Sequence, residues 1–324
     1  MKAIVCEKFG PPASLAYKEI PTPTPKEKEV VVQVKACSLN FPDTLIIQGK
    51  YQFKPTLPFT PGSDIAGEVS AVGKEVKNLK VGDEVIGFVP HGGFAEYVVA
   101  PAKNIFTKPP QMDAPIAASF LMAYGTSYHA LKDRAKLKEG ETLVVLGASG
   151  GVGLAAVELG KQMGARVIAC ASTEEKLALC LEHGADETIN YTSENLKEQI
   201  KTLTQGKGAD VIYDPVGDAY AEPALRALAW EGRYLVVGFA GGEIPKIPLN
   251  LPLLKGCQIV GVFWGSFAIQ FPHKNLQNTM ELMQWYSEGK LNPHIHKIFP
   301  LHETHKAMEE MEARKVRGKI VVTP

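Results

Sequence analysis

The stretch that most constrains this chain runs from 142 to 163. Thr142–Leu146 (TLVVL) is a short strand-forming run that passes directly into Gly147-Ala148-Ser149-Gly150-Gly151-Val152-Gly153 and then into a segment with Val152, Ala156, Leu159 and Met163 on one helical face. Strand, glycine loop and helix in immediate succession form the phosphate-binding turn of a parallel α/β sheet. Glycine lets the backbone approach a pyrophosphate and lets the helix pack on the strand, while the helix start offers unpaired N–H groups and a favourable dipole. The spacing is G-x-x-G-x-x-G, so the context carries more weight than the motif.

That context continues downstream. Arg166–Ala171, Glu187–Asn190, Asp210–Asp214, Tyr234–Gly238 and Ile259–Val262 are further short apolar runs separated by helix-length segments, 174–183 among them. Six strands alternating with helices predict a doubly wound parallel sheet over about 124–266. The same glycine loop also spells G-x-S-x-G at 147–151, and with His91-Gly92-Gly93 it raises a serine hydrolase as a rival. Against that rival, His91-Gly92-Gly93 leads into the strand pattern Phe94-Ala95-Glu96-Tyr97-Val98 rather than a helix. Residues 1–120 also lack the strand–helix units that precede a nucleophile elbow. Ser149 reads instead as a phosphate donor or as a helix N-cap.

With 324 residues there is room for about two domains. From 1 to about 123 the pattern changes to alternating runs such as 30–34, 65–72, 84–89 and 94–99, with prolines crowding the gaps, which reads as a compact β domain. The tail carries two helices, near 274–288 and 302–314, and one strand at Lys319–Val322. A single terminal strand cannot stand alone, so the tail, from about 267, is expected to return to the first domain and pair there.

Thirty-five basic and thirty-five acidic residues give zero formal charge, which argues against nucleic acid or an anionic membrane as the main partner and leaves a small molecule. Five scattered cysteines without a C-x-x-C predict a reducing, cytoplasmic setting. Glu7 and Lys8 stand where a signal peptide needs an apolar core, and the apolar stretch 142–160 is interrupted by glycines and Glu158, so neither export nor a membrane span is expected. His294-x-His296 and His302-x-x-His305 lack a third ligand and are read as surface histidines, so no metal is expected there.

About twenty residues past the glycine loop, a cofactor without a 2′-phosphate is usually met by an acidic residue. Here the strand ends Ala171-Ser172-Thr173, with Lys176 on the next turn. A hydroxyl and an ammonium suit a 2′-phosphate and point to NADPH. Ser172 with Glu175 also spells a capping box, and Tyr191 is placed to flank the adenosine phosphate or to pack as an ordinary aromatic.

The whole chain resembles the medium-chain dehydrogenase/reductase superfamily, in its zinc-free quinone oxidoreductase branch. The resemblance rests on 34–44 (VKACSLNFPDT), 61–67 (PGSDIAG), 81–85 (VGDEV), 93–97 (GFAEY), the glycine loop, 214–217 (DPVG) and 318–321 (GKIV). It implies a GroES-like catalytic domain built from both termini, about 1–123 and 267–324, around a six-stranded Rossmann domain, and a homodimer. Where the zinc alcohol dehydrogenases place a ligating Cys this chain has Asn40, and where they have Gly-His-Glu it has Gly62-Ser63-Asp64. Their structural-zinc lobe is absent, so no catalytic zinc set can be assembled. Cys37 lies three residues short of the ligand position and is expected in the core.

Without a Lewis acid, hydride acceptors that spread charge through their own conjugation are favoured. These are quinones or, alternatively, alkenals and enoyl thioesters, reduced at the interdomain cleft; a non-catalytic nucleotide-binding homologue is the remaining alternative. Matched positions nominate Asn40, Asp43 and Tyr51 for catalysis, with Asn40 also orienting the cofactor and Asp43 alternatively capping a helical turn. For cofactor binding they nominate Thr126, Ser149, Gly150, Gly151, Val152, Gly238, Phe239, Phe263, Trp264, Gly265 and Arg314, together with Ser172, Lys176 and Tyr191. Leu45, Tyr51, Phe239 and Trp264 are expected to line the substrate pocket, with Phe239, Phe263 and Trp264 forming a flat apolar site. Leu45-Ile46-Ile47 replaces the aromatic found in many relatives, which implies a more apolar pocket.

Overall fold

The computed structural model describes residues 1–324, which divide into two units: 1–122 with 293–324, and 123–292. Seven strands precede residue 110: β1 (Lys2–Val5), β2 (Ala16–Glu19), β3 (Glu29–Leu39), β4 (Asp64–Val72), β5 (Glu84–Phe88), β6 (Tyr97–Pro101) and β7 (Ile105–Thr107). Six follow: β8 (Thr142–Leu146), β9 (Arg166–Ala171), β10 (Glu187–Asn190), β11 (Ala209–Asp214), β12 (Leu228–Val236) and β13 (Gln258–Gly261). Two close the chain, β14 (Ile295–Pro300) and β15 (Lys319–Thr323).

In the second unit the strand order is β10-β9-β8-β11-β12-β13, all parallel. Every residue of β8 is buried, as are five of the six in β9, because helices cover both faces of the sheet. The order reverses between β8 and β11. At that switch point strand carboxyl ends leave a crevice, and the glycine loop sits at the end of β8 beside it.

In the first unit β3 is the organising strand. Its first half pairs with β6 from Glu29 to Gln33, its last three residues pair antiparallel with β15, and β4 runs along nearly its whole length. The closing strand therefore returns to the first unit as expected, with Ile320 opposite Leu39. Val30, Val32, Val34, Leu39, Ile65 and Ile320 share one core, and Ile320 is fully buried in it.

The expected boundary at 266 moves to 292. The helix Pro272–Ser287 belongs to the second unit because its side chains are tied to the segment after Tyr128: Trp285 meets the Tyr128 ring edge-on at 5.5 Å, Glu281 pairs with Lys132 at 2.5 Å, and Asn278 donates to Asp133 at 3.0 Å. An amphipathic pattern marks a helix but not which sheet its apolar side meets.

If β15 is part of this core, Ile320→Ala should cost about 2–5 kcal/mol, read as a lower urea midpoint for the first unit. A midpoint equal to that of the parent chain would show that the strand merely lies on the surface.

Candidate functional site

In the second unit the helix Gly151–Gln162 begins with its N-cap at Gly150 and no side-chain cap. Its first helical hydrogen bond runs from Leu154 N–H to Gly150 O at 2.7 Å, so Gly151, Val152 and Gly153 have no carbonyl of the helix to bond. Ser149 is therefore not the N-cap; it is buried in the loop. Two glycines make the cradle possible. A Cβ on Gly153 would fall 2.2 Å from Gly147 O, and one on Gly147, at φ +56°, would fall 2.8 Å from Val216. The glycine loop and the 214–217 turn thus touch across the switch point.

Asp214 holds that turn, accepting Val216 N–H at 2.7 Å and Gly217 N–H at 2.8 Å, and it takes a short hydrogen bond from the Tyr234 hydroxyl. Ser127 donates to Val152 O at 2.7 Å and meets the Tyr213 hydroxyl at 2.8 Å, locking the helix start onto Leu121–Tyr128, where Thr126 is half-buried. Neither Ser127 nor Asp214 was singled out from sequence for these roles. Asp214 was visible only as part of a matched motif.

At the end of β9, Lys176 Nζ donates to Ser172 Oγ at 3.2 Å, and Thr192 Oγ1 donates to Ser172 O at 3.2 Å. The cap of the following helix is Thr173, whose side chain accepts Lys176 N–H, so the Ser172 capping box does not form. The hydroxyl and ammonium read from sequence therefore lie together. Tyr191 follows β10 and packs against Tyr220, their centroids 4.4 Å apart.

Phe239, Phe263 and Trp264 do not form one flat slot. Phe239 follows Gly238 into a pocket of about 190 Å³ with Tyr234, Pro245 and Ile247. Phe263 is half exposed and lines a different cavity of about 460 Å³ beside His129 and Phe267. Trp264 is buried, donates to Asn275 at 3.0 Å and lies so close to Gly125 that a Cβ there would be 2.9 Å from its indole; Gly265 follows it within the same helix.

In the first unit the strand β3 is followed by Asn40, the N-cap of a short helix, Phe41–Ile46, that carries Asp43 and Leu45. Asp43 is fully enclosed, accepting Asn40 N–H at 2.8 Å and the Ser63 hydroxyl at 3.1 Å. The capping alternative for Asp43 is what the fold realises. Lys319, buried at the start of β15, donates to Leu39 O at 3.0 Å and to Asn40 Oδ1. Asp64 accepts Met122 N–H at 3.3 Å while its other oxygen has no hydrogen-bond partner.

Burial is the leading influence on all three charges. It raises Asp43 to about 6 and Asp64 to about 7, and it lowers the Lys319 ammonium, with mutual attraction opposing each change. Cys37 is packed under Gly62 and Gly93, and burial raises its thiol well above the usual range, as befits a core residue. Tyr51 packs half-buried against the same core, and burial followed by Asp43 keeps its hydroxyl protonated. Arg314, at φ +57°, follows the helix Thr304–Glu312 in this unit.

Lys319 stands in the sequence reading only as a letter of the 318–321 match, with no role of its own. Its signal was a lysine at the head of an otherwise apolar run, Lys319-Ile320-Val321-Val322.

Two family models match: the alcohol dehydrogenase GroES-like domain over residues 26–110 and the zinc-binding dehydrogenase over 151–285. A quinone oxidoreductase-like protein 2 homolog of Nematostella vectensis is 40% identical over 99% of this chain and 88% of its own length. The quinone oxidoreductase of Homo sapiens is 35% identical over 99% and 97%. The crystal structure of Escherichia coli quinone oxidoreductase complexed with NADPH superposes with a TM-score of 0.93 at 29% identity, covering 100% of both chains.

The Asp64 carboxyl, raised in the fold above its unfolded value, stabilises the protein most below pH 4 and loses that contribution as pH rises towards 7, because the folded state holds the extra proton. Asp64→Asn should therefore gain thermal stability relative to the parent as pH goes from 5 to 8. Parallel melting curves across that range would refute the assignment.

Proposed function

The chain belongs to the quinone oxidoreductase branch of the medium-chain dehydrogenase/reductase superfamily, and from that premise we propose that it is an NADPH-dependent, zinc-independent reductase of quinones. The observation that carries the finer part is the donor set around Asn40. It contains the Asn40 amide, the Ser63 hydroxyl, the Asp43 and Asp64 carboxyl groups and the buried Lys319 ammonium, with no imidazole and with Cys37 held as a thiol in the core. A cation already fixed there and the lack of soft ligands do not fit a zinc ion. Substrates that delocalise incoming charge are then favoured over simple alcohols.

The second unit fits the dinucleotide. Gly147 and Gly153 let the loop close tightly on itself and on Val216, the Gly151–Gly153 amides are left without helix carbonyls and are available to a pyrophosphate, and Ser172 with Lys176 suits a 2′-phosphate. NADPH supplies hydride when bound. Asn40 orients the ligand by hydrogen bonds, Asp43 fixes the Asn40 backbone, and Leu45 and Tyr51 supply the wall of the substrate site. Tyr51, which keeps its proton, donates to the substrate oxygen. Reduction of activated alkenes remains the alternative activity, since it requires the same hydride and a similar donor.

The five free cysteines, four of them buried, accord with a cytoplasmic enzyme, and no helix is long and apolar enough to cross a membrane. A homodimer is part of the same reading. The strand β13 is the outermost of its sheet, and Ile259, Leu253, Leu254 and Trp230 around it are exposed, so a second copy of this edge, paired antiparallel, completes both. Sedimentation velocity should give twice the chain mass, and Ile259→Lys should release monomer; a monomeric parent would exclude the arrangement.

Steady-state assays with a quinone, an enone and a crotonyl thioester, each with NADPH and NADH, test the activity. The quinone with NADPH should have the highest kcat/KM. Lys176→Met should weaken NADPH by about tenfold or more, on the order of 1.4 kcal/mol, and leave NADH nearly unchanged. Equal affinity for both nucleotides in the parent chain would overturn the cofactor assignment, and a preferred thioester would overturn the substrate.

A further inference from the structure

Lys319 is buried to 6% exposure, yet its ammonium donates to two uncharged oxygens, Leu39 O and Asn40 Oδ1, rather than directly to a carboxylate. Asp43 and Asp64 act on it through space. Taking an ammonium out of water is costly, and two neutral acceptors are modest compensation for a role in stability alone.

The chemistry of the contact is asymmetric. An ammonium has three donors and no acceptor, whereas an asparagine amide has one acceptor end and one end with two donors. Facing Lys319, Asn40 can present only its oxygen. Its nitrogen must then point away, and the one protein acceptor it meets is Ser38 O, at the long distance of 3.5 Å. One N–H of the amide thus remains for a ligand.

We infer that Lys319 is a positioning residue that sets the polarity of the Asn40 amide, so that the site offers an N–H donor and not a carbonyl at this point. This rests on the reading of Asn40 as a ligand-facing residue. The placement follows from topology: β15 pairs with the last residues of β3, and Ile320 opposite Leu39 brings Lys319 alongside Asn40. Asp43 fixes the backbone of Asn40 from the other side, the two residues forming a capping box at the helix start. A donor at this point matches a quinone or enone oxygen, which gains negative charge as hydride arrives, while a carbonyl would repel it.

Two measurements on the full-length protein test this. In protein labelled with ¹⁵N at asparagine, the side-chain N–H pair of Asn40, identified by its loss in Asn40→Ala, should shift in Lys319→Met while other asparagine side-chain signals stay in place. A pair that does not move overturns the inference, whatever the enzyme reduces. In turnover with NADPH and quinone, Lys319→Met and Asn40→Ala should each lower kcat/KM about tenfold or more, and the double variant should lose no more than Asn40→Ala alone. Additive losses would mean that Lys319 acts independently of Asn40. Should Lys319→Met fail to fold, Lys319→Gln carries the same test, since it removes the charge and the obligatory donor polarity. If Asn40→Ala turns over like the parent, the ligand-facing reading of Asn40 fails, and the N–H shift still decides whether Lys319 orients the amide.

Discussion

One buried ammonium group shapes the end of the first unit where its two chain segments meet. Lys319 sits where the last strand meets the end of β3, and its two hydrogen bonds join the closing strand to the loop that carries Asn40 and Asp43. A charge in that position must be surrounded by oxygen: Leu39 O and Asn40 Oδ1 accept its hydrogen bonds, and Asp43 and Asp64 act on it through space. The same enclosure pushes the two carboxyl groups towards neutrality, so the cluster balances its charge through proton occupancy as well as through pairing.

The second unit solves a different problem, starting a helix on a tight loop so that its first three amides have no helix carbonyl to bond. The loop closes only because Gly147 and Gly153 lack a Cβ, which would strike Val216 and Gly147 O respectively. The surrounding contacts keep that loop in shape, Asp214 holding one turn and Ser127 holding the helix start. These are neutral or single-charge devices on rigid elements, which is the arrangement a preorganised anion site requires.

Much of this was legible along the chain because it is local. The glycine loop, the alternation of strands and helices, and the Ser172 and Lys176 pair one helical turn apart are short-range patterns, and each keeps its expected place. Thr173 rather than Ser172 became the cap, a choice made within one helical turn by backbone geometry. The other departures occurred where the partner is distant in sequence: Trp264 went into the interior against Gly125, and the helix Pro272–Ser287 joined the second unit through Tyr128, Lys132 and Asp133.

The sequence by itself determined which groups are available: a glycine loop between a strand and a helix, a hydroxyl and an ammonium one helical turn apart, and an asparagine and a serine near two aspartates. These follow from residue identity and short spacing, which a linear chain displays directly. Only the tertiary structure decided that Lys319, 279 residues from Asn40, is that residue's partner. A lysine in an apolar run shows that some charge will be buried, but the acceptor is chosen by strand register, and register between distant strands emerges only when the core of the first unit closes.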